Sequence, residues 1–210
     1  LGMTAAFVED PHPSKVNVGQ GLYRDDDGQP YVLSSVKEAE DRVAAALRDG
    51  RGNKEYLPIE GHAAFRRLSA ELVLGKSSAG LAEDRVATLQ TISGTGALAV
   101  AASALRQVGG IAEIYVPLPT WSNHHQIFAA AGLAVKSYPY LNEATGTTLD
   151  FSAMAGCLRD ESAVPEGSSV LLHACAHNPT GIDPTPAQWE ELAGIFAARR
   201  LTALFDSAYQ

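Results

Sequence analysis

The stretch IAEIYVPLPTWSNHHQIFAAAGLAVKSYPY, residues 111–140, decides the fold. Two short runs of apolar, β-branched and aromatic residues, 111–119 and 133–140, flank an amphipathic segment, so the stretch reads strand, helix, strand. The same alternation extends in both directions. Upstream, VATLQTI (86–92) reads as a strand and TGALAVAASALRQVGG (95–110) as a helix. Downstream come a helix at DFSAMAGCLRD (150–160), a strand at SSVLLHACA (168–176), a helix at TPAQWEELAGIFAARR (185–200) and a strand at LTALFD (201–206). The 185–200 helix opens with Thr185, Pro186 in the first turn and Gln188 three residues after the threonine, which is a capping box. Strands alternating with helices predict an α/β architecture, a mostly parallel sheet covered by helices. In such a sheet, ligands collect at the carboxyl ends of the strands.

Before residue 86 the pattern differs. PSKVNVGQGLYRDDDGQPYV (13–32) is rich in Gly, Asp and Pro and reads as extended chain with a turn. SSVKEAEDRVAAALRDG (34–50) reads as a helix with Ser34 or Ser35 as its cap, Val36, Ala39, Val43 and Leu47 along one stripe, and Gly50 as its stop. GHAAFRRLSAELVLG (61–75) reads as another helix. At 46% hydrophobic and 19% charged residues, 210 residues suffice for one sizeable core. A net charge of -8 disfavours general nucleic-acid binding, which needs clustered Lys and Arg. The longest apolar runs are too short to span a bilayer. Two cysteines, Cys157 and Cys175, both in apolar surroundings, argue against a disulfide framework. No signal or transit peptide is recognisable, and both ends read as cut, with a strand at 201–206 that nothing later covers.

Four segments could carry chemistry. In TISGTGALAV (91–100) a strand turns into a helix through Ser93, Gly94 and Thr95, which offers free N–H groups and hydroxyls to a phosphate. Taken alone, the segment fits a capped strand-to-helix turn better. In PLPTWSNHHQIF (117–128), Trp121 could stack on a planar ligand and His124 could hydrogen-bond a buried acid, or the tryptophan could fill a gap between helix and sheet. In FDSAYQ (205–210), Asp206 and Tyr209 follow a strand's carboxyl end, where an acid serves a ligand or caps a helix. In HACAHNPTG (173–181), His173, Cys175 and His177 would share one strand face and could hold a metal, but Cys175 reads more simply as a small buried hydrophobe. Asn178, on a turn set by Pro179 and Gly181, suits a hydrogen bond to a ligand ring oxygen.

Six blocks in order, VNVGQGLYRDDDGQPYVL, NKEYLPIEG, QTISGTGAL, PLPTWSNHHQIF, LLHACAHNPTGIDPTPAQW and LFDSAYQ, resemble the aspartate aminotransferases, pyridoxal 5'-phosphate enzymes of fold type I. The resemblance implies a homodimeric enzyme of the cytoplasm or mitochondrial matrix, acting on amino acids and 2-oxo acids. It assigns residues 1–33 to an N-terminal arm with a small-domain segment and 34–210 to an incomplete large, cofactor-binding domain. By position, Ser93, Gly94 and Thr95 match the phosphate cradle and Trp121 the ring-stacking residue. Asn178 matches the partner of the ring's 3-oxygen and of a substrate carboxylate. Asp206 matches the acid on the pyridine nitrogen, a charge that lets the ring draw electrons. His124 would orient Asp206, Tyr209 would donate to the 3-oxygen, Tyr56 would reach a neighbouring subunit's phosphate, and the Gly21 backbone would meet substrate. No metal is implied. Gln20, Leu22 and Ser122 stand where Val, Ala and Gly are commoner. The family's Schiff-base lysine and substrate-binding arginines fall after these blocks, and Lys15, Lys37, Lys54, Lys76 and Lys136 lie in other contexts. The 210 residues thus match about the first half of such an enzyme and should be inactive alone. The alternative is a truncated, non-catalytic isoform that binds a full-length subunit, against which an uncovered final strand argues.

Overall fold

The computed structural model describes residues 2–17, 19 and 21–209. Gln20, one of the three departures from the family pattern, lies outside them. Two compact units divide the chain, Leu1–Tyr56 and Leu57–Gln210. The first holds α1 (Gly2–Glu9), which the sequence pattern did not announce, and α2 (Ser34–Arg48). Between them, residues 25–28 turn through Gly28 at φ 73°, and Arg24 and Pro30 form an antiparallel bridge. Neither Ser34 nor Ser35 caps α2, as the sequence had suggested. Leu33 occupies that position, and no side chain accepts from the first turn.

The second unit holds α3 (Ala63–Leu74), α4 (Ala79–Ala82), α5 (Ser93–Gln107), β1 (Glu113–Leu118), α6 (Asn123–Ala130), β2 (Ala134–Pro139), α7 (Phe151–Arg159), β3 (Ser169–His173), α8 (Pro186–Arg199) and β4 (Thr202–Asp206). The four strands are parallel, in the order β2-β1-β3-β4. Side chains alternate between two faces, as a period of two demands. Ile114, Val116 and Leu171 pack with Leu98 and Ala102 of α5 and Phe128 of α6. Tyr115, Val170 and Leu172 pack on the other face with Met154 and Leu158 of α7 and Leu192 and Ile195 of α8. Fully burying an apolar side chain such as Phe128 or Leu158 stabilises by roughly 1.5–3 kcal/mol, against about 1 kcal/mol for a helix cap. Packing therefore holds α5 and α6, which lack side-chain caps. α8 has both: Thr185 accepts from Gln188 N–H, and Gln188 accepts from Thr185 N–H.

Two predicted strands are corrected. Residues 86–92 form no strand, because no described strand runs beside them. Gln90 N–H instead donates to Glu60 O at 3.0 Å, and Thr88 O accepts from Arg66. β3 stops at His173 rather than residue 176. Ala174 N–H still reaches Asp206 O, but Ala176 turns to φ 50°, and the Asp183 carboxylate takes the N–H groups of Ala176 and His177. His173, Cys175 and His177 therefore share no strand face. Cys175 is exposed rather than buried, because the chain has left the sheet by then. Among the described residues no group of three metal-ligating side chains gathers, and no helix is long and apolar enough to cross a membrane.

Candidate active site

The carboxyl ends of β1, β3 and β4 meet the start of α6, and their side chains join into one network. Asp206 ends β4, paired in register with His173 at the end of β3. From α6, the fully buried His124 places Nε2 2.8 Å from Asp206 Oδ2. Trp121 stands edge-on to the His124 ring, with centroids 5.3 Å apart, and Phe128 stacks on it at 5.8 Å. The hydrogen bond from His124 holds the Asp206 carboxyl below its ordinary range, outweighing the burial that would raise it. Asp206 is thus an ionised, half-buried acid.

The network has a direction. Asn178 N–H donates to His173 Nδ1 at 3.2 Å, so the proton of the neutral ring sits on Nε2. That Nε2–H donates to Thr120 Oγ1 at 3.1 Å, freeing the Thr120 hydroxyl to donate to His124 Nδ1 at 2.8 Å. His124 Nε2–H then donates to Asp206. His173 stays neutral because burial, and then the adjacent His124, push its pKa down to about 4. Sequence reasoning did not single out Thr120. A hydroxyl directly after a strand and a proline, four residues before a histidine, was the available signal.

The N-terminus of α5 is open. Gly96 N–H makes the first inward backbone bond, to Ile92 O, so among the described residues the N–H groups of Ser93, Gly94 and Thr95 have no backbone partner. Neither Ser93 nor Thr95 caps the helix. Ser93 holds φ 60°, and a Cβ added to Gly94 would meet nothing within 4 Å. Dipole, N–H groups and hydroxyls there are of the kind that suits an anion.

Residues 13–210 match the family model for aminotransferase class I and II. The chain belongs to the class I and II aminotransferases. It is 50% identical to the mitochondrial aspartate aminotransferase of Dictyostelium discoideum, over all of this chain and 47% of that one. The solved aspartate aminotransferase of Saccharomyces cerevisiae cytoplasm superposes at TM-score 0.87 with 40% identity, covering 100% of this chain and 49% of its own. The aromatic-amino-acid aminotransferase of Burkholderia pseudomallei, described as covalently bound to pyridoxal phosphate, follows at TM-score 0.84 and 38% identity, covering 97% and 49%. The chain spans about half the length of the curated relatives it matches.

Of the residues that the aminotransferase pattern marks, the structure joins His124 and Asp206 directly, Trp121 through its contact with His124, and Asn178 through its backbone. The Asn178 side chain is exposed. Tyr209 is exposed too, and its carbonyl accepts from Cys175 Sγ at 3.4 Å. Ser122 takes right-handed helical angles (φ -56°, ψ -30°), so nothing there requires glycine. Gly21, Leu22 and Tyr56 belong to the first unit, where all three are exposed, Tyr56 almost completely at 99%.

Proposed function

We propose that the complete protein is a pyridoxal 5'-phosphate-dependent aspartate aminotransferase, converting L-aspartate and 2-oxoglutarate to oxaloacetate and L-glutamate as a homodimer in the cytoplasm or mitochondrial matrix. The observation that carries this reading is Asp206, ionised at a strand's carboxyl end by a buried histidine, in a chain half identical to an aspartate aminotransferase.

The donor set suits the cofactor. The free N–H groups at Ser93, Gly94 and Thr95 and the open space over Gly94 suit a phosphate. Asp206 spends Oδ2 on His124 and, among the described residues, has Oδ1 left for a protonated pyridine nitrogen. Trp121 would stack on the ring, and Asn178 and Tyr209 would donate to its 3-oxygen. When bound, pyridoxal phosphate supplies an electron sink, which works only while the ring nitrogen keeps its proton. Holding that proton is the work of Asp206, and His124 keeps Asp206 ionised and aimed. Asn178 and the Gly21 backbone would also meet the substrate. Tyr56 would reach the phosphate of the other subunit, a role its exposure supports. The division into an arm and small-domain segment, 1–33, and a large domain, 34–210, is part of the same proposal. None of the five lysines lies in the family's anchoring context, so residues 1–210 alone should not complete a turnover.

The test is an aspartate plus 2-oxoglutarate assay, with oxaloacetate read through NADH-linked reduction, on the complete protein and on residues 1–210. Turnover by the first and none by the second is expected. No turnover by the complete protein with pyridoxal phosphate supplied overturns the assignment. Preference for tyrosine or phenylalanine over aspartate would overturn its substrate half.

A further inference from the structure

His177 stands immediately before Asn178 and is 1% exposed. Its ring lies between two others, Tyr140 at 3.9 Å and 11° and His173 at 4.2 Å and 36°. Its backbone closes the turn: N–H donates to Asp183 Oδ1 at 2.9 Å, and the carbonyl accepts from Gly181 N–H at 2.6 Å. Nδ1 lies 2.8 Å from Thr180 Oγ1, while the buried Nε2 has no partner. Stacking alone does not account for a histidine here. Phenylalanine would fill the sandwich without orphaning a polar atom, and a buried orphan is destabilising. What imidazole adds is the bond to Thr180.

That bond also sets the proton. Thr180 Oγ1 already accepts from Ile182 N–H at 3.2 Å and can accept once more. If the Thr180 hydroxyl donated to Nδ1, a buried Nε2–H would be left unpaired, which proteins avoid more strictly than an unpaired acceptor. Nδ1–H therefore donates to Thr180, the tautomer opposite to that of His173. Asn178 is then held from both sides, its N–H by His173 and the turn after it by His177 through Thr180.

We propose that His177, as its Nδ1–H tautomer, is a positioning residue that fixes the Asn178 amide toward the 3-oxygen of the cofactor ring. The proposal rests on the function proposed above and adds a residue to it. The test uses pyridoxamine 5'-phosphate, which binds without an anchoring lysine, and its 3-O-methyl derivative, titrated into the complete protein after its own cofactor has been removed. The wild-type chain should prefer the free 3-oxygen by about tenfold, the worth of one hydrogen bond. His177→Phe keeps the stack and should lose that preference while retaining the preference for pyridoxamine phosphate over pyridoxamine, which reports the phosphate cradle. His177→Asn places an amide N–H where Nδ1 was and should restore the preference. Retention of the wild-type preference in His177→Phe overturns the proposal and leaves the function standing. Failure of the wild-type complete protein to bind pyridoxamine phosphate overturns both. Ring ¹⁵N spectra give a readout that needs no variant: His177 protonated on Nε2 at neutral pH also overturns the proposal.

Discussion

Moving from pH 7 to pH 5 should weaken the fold mainly through two buried histidines. Burial first, then His124, brings His173 down to about 4; burial first, then His173, brings His177 down to about 3. In the unfolded chain both titrate near the ordinary value of about 6.5. Below that value the unfolded chain carries one more proton at each site than the folded chain. Their contribution is therefore complete above about pH 6.5 and is lost as pH falls toward the folded-state values. Each site has a limiting slope of about 1.4 kcal/mol per pH unit, which integrates between pH 7 and 5 to roughly 2 kcal/mol per histidine and about 4 kcal/mol for the pair. That is a large share of a typical domain stability of about 5–15 kcal/mol. The magnitude follows from unfolded values near about 6.5 and from both folded-state values lying below pH 5. Urea unfolding at pH 7, 6 and 5, followed by tryptophan fluorescence, measures it on the wild-type chain and on His177→Phe. Phenylalanine keeps the stack between Tyr140 and His173 and does not titrate, and the other histidines cancel in the comparison. The wild-type chain should lose about 4 kcal/mol and the variant about 2 kcal/mol from this source. Equal losses refute the assignment to His177, and a flat wild-type profile refutes the claim that the buried pair excludes protons.

Replacing His124 with leucine removes the donor to Asp206 Oδ2, a bond to a charged group that contributes about 1.5–3 kcal/mol. The carboxyl pKa should then rise, and the variant's deficit in pyridoxamine phosphate affinity relative to the wild-type complete protein should grow as pH falls from 8 to 5, to at least about tenfold at pH 5. A deficit that is the same at pH 5 and pH 8 would count against His124 as the group that keeps Asp206 ionised. Gly94→Asp puts a carboxylate into the open space at the start of α5. By complementing the helix dipole it should preserve stability or add about 0.3–1 kcal/mol, while abolishing any preference for pyridoxamine phosphate over pyridoxamine. A variant that still discriminates by phosphate would place the cradle elsewhere.

The fold was legible where a segment's own pattern determines its partners. β1 needs apolar residues on both faces, and Ile114, Val116 and Tyr115 supply them. α8 carries its capping box within four residues of sequence. Legibility failed where structure depends on something remote. Residues 86–92 have strand composition, but a ladder needs a neighbouring strand, and no described strand lies beside them. The run that enters β3 stays small and apolar through residue 176, yet the sheet ends at His173, because Asp183, seven residues after Ala176, captures the next N–H groups.

The candidate site divides in the same way. Asp206 and Asn178 stand out because each follows a strand, but the bonds that give them direction join residues 82 and 53 positions apart. The hydroxyl of Thr120 can point either way. What decides is His173, and His173 is decided by Asn178 N–H, a backbone donor that stays a donor throughout the physiological pH range. With both histidine rings neutral, a chain of bonds beginning at such a group runs in one sense, each bond donating toward Asp206. It keeps the carboxylate ionised through Oδ2 and leaves Oδ1 to the ligand. The alternation of His173 and His177, which from sequence suggested a metal, thus does something different at each position. One ring passes a hydrogen-bond direction along the strand ends, and the other turns its proton away, into the turn that carries Asn178.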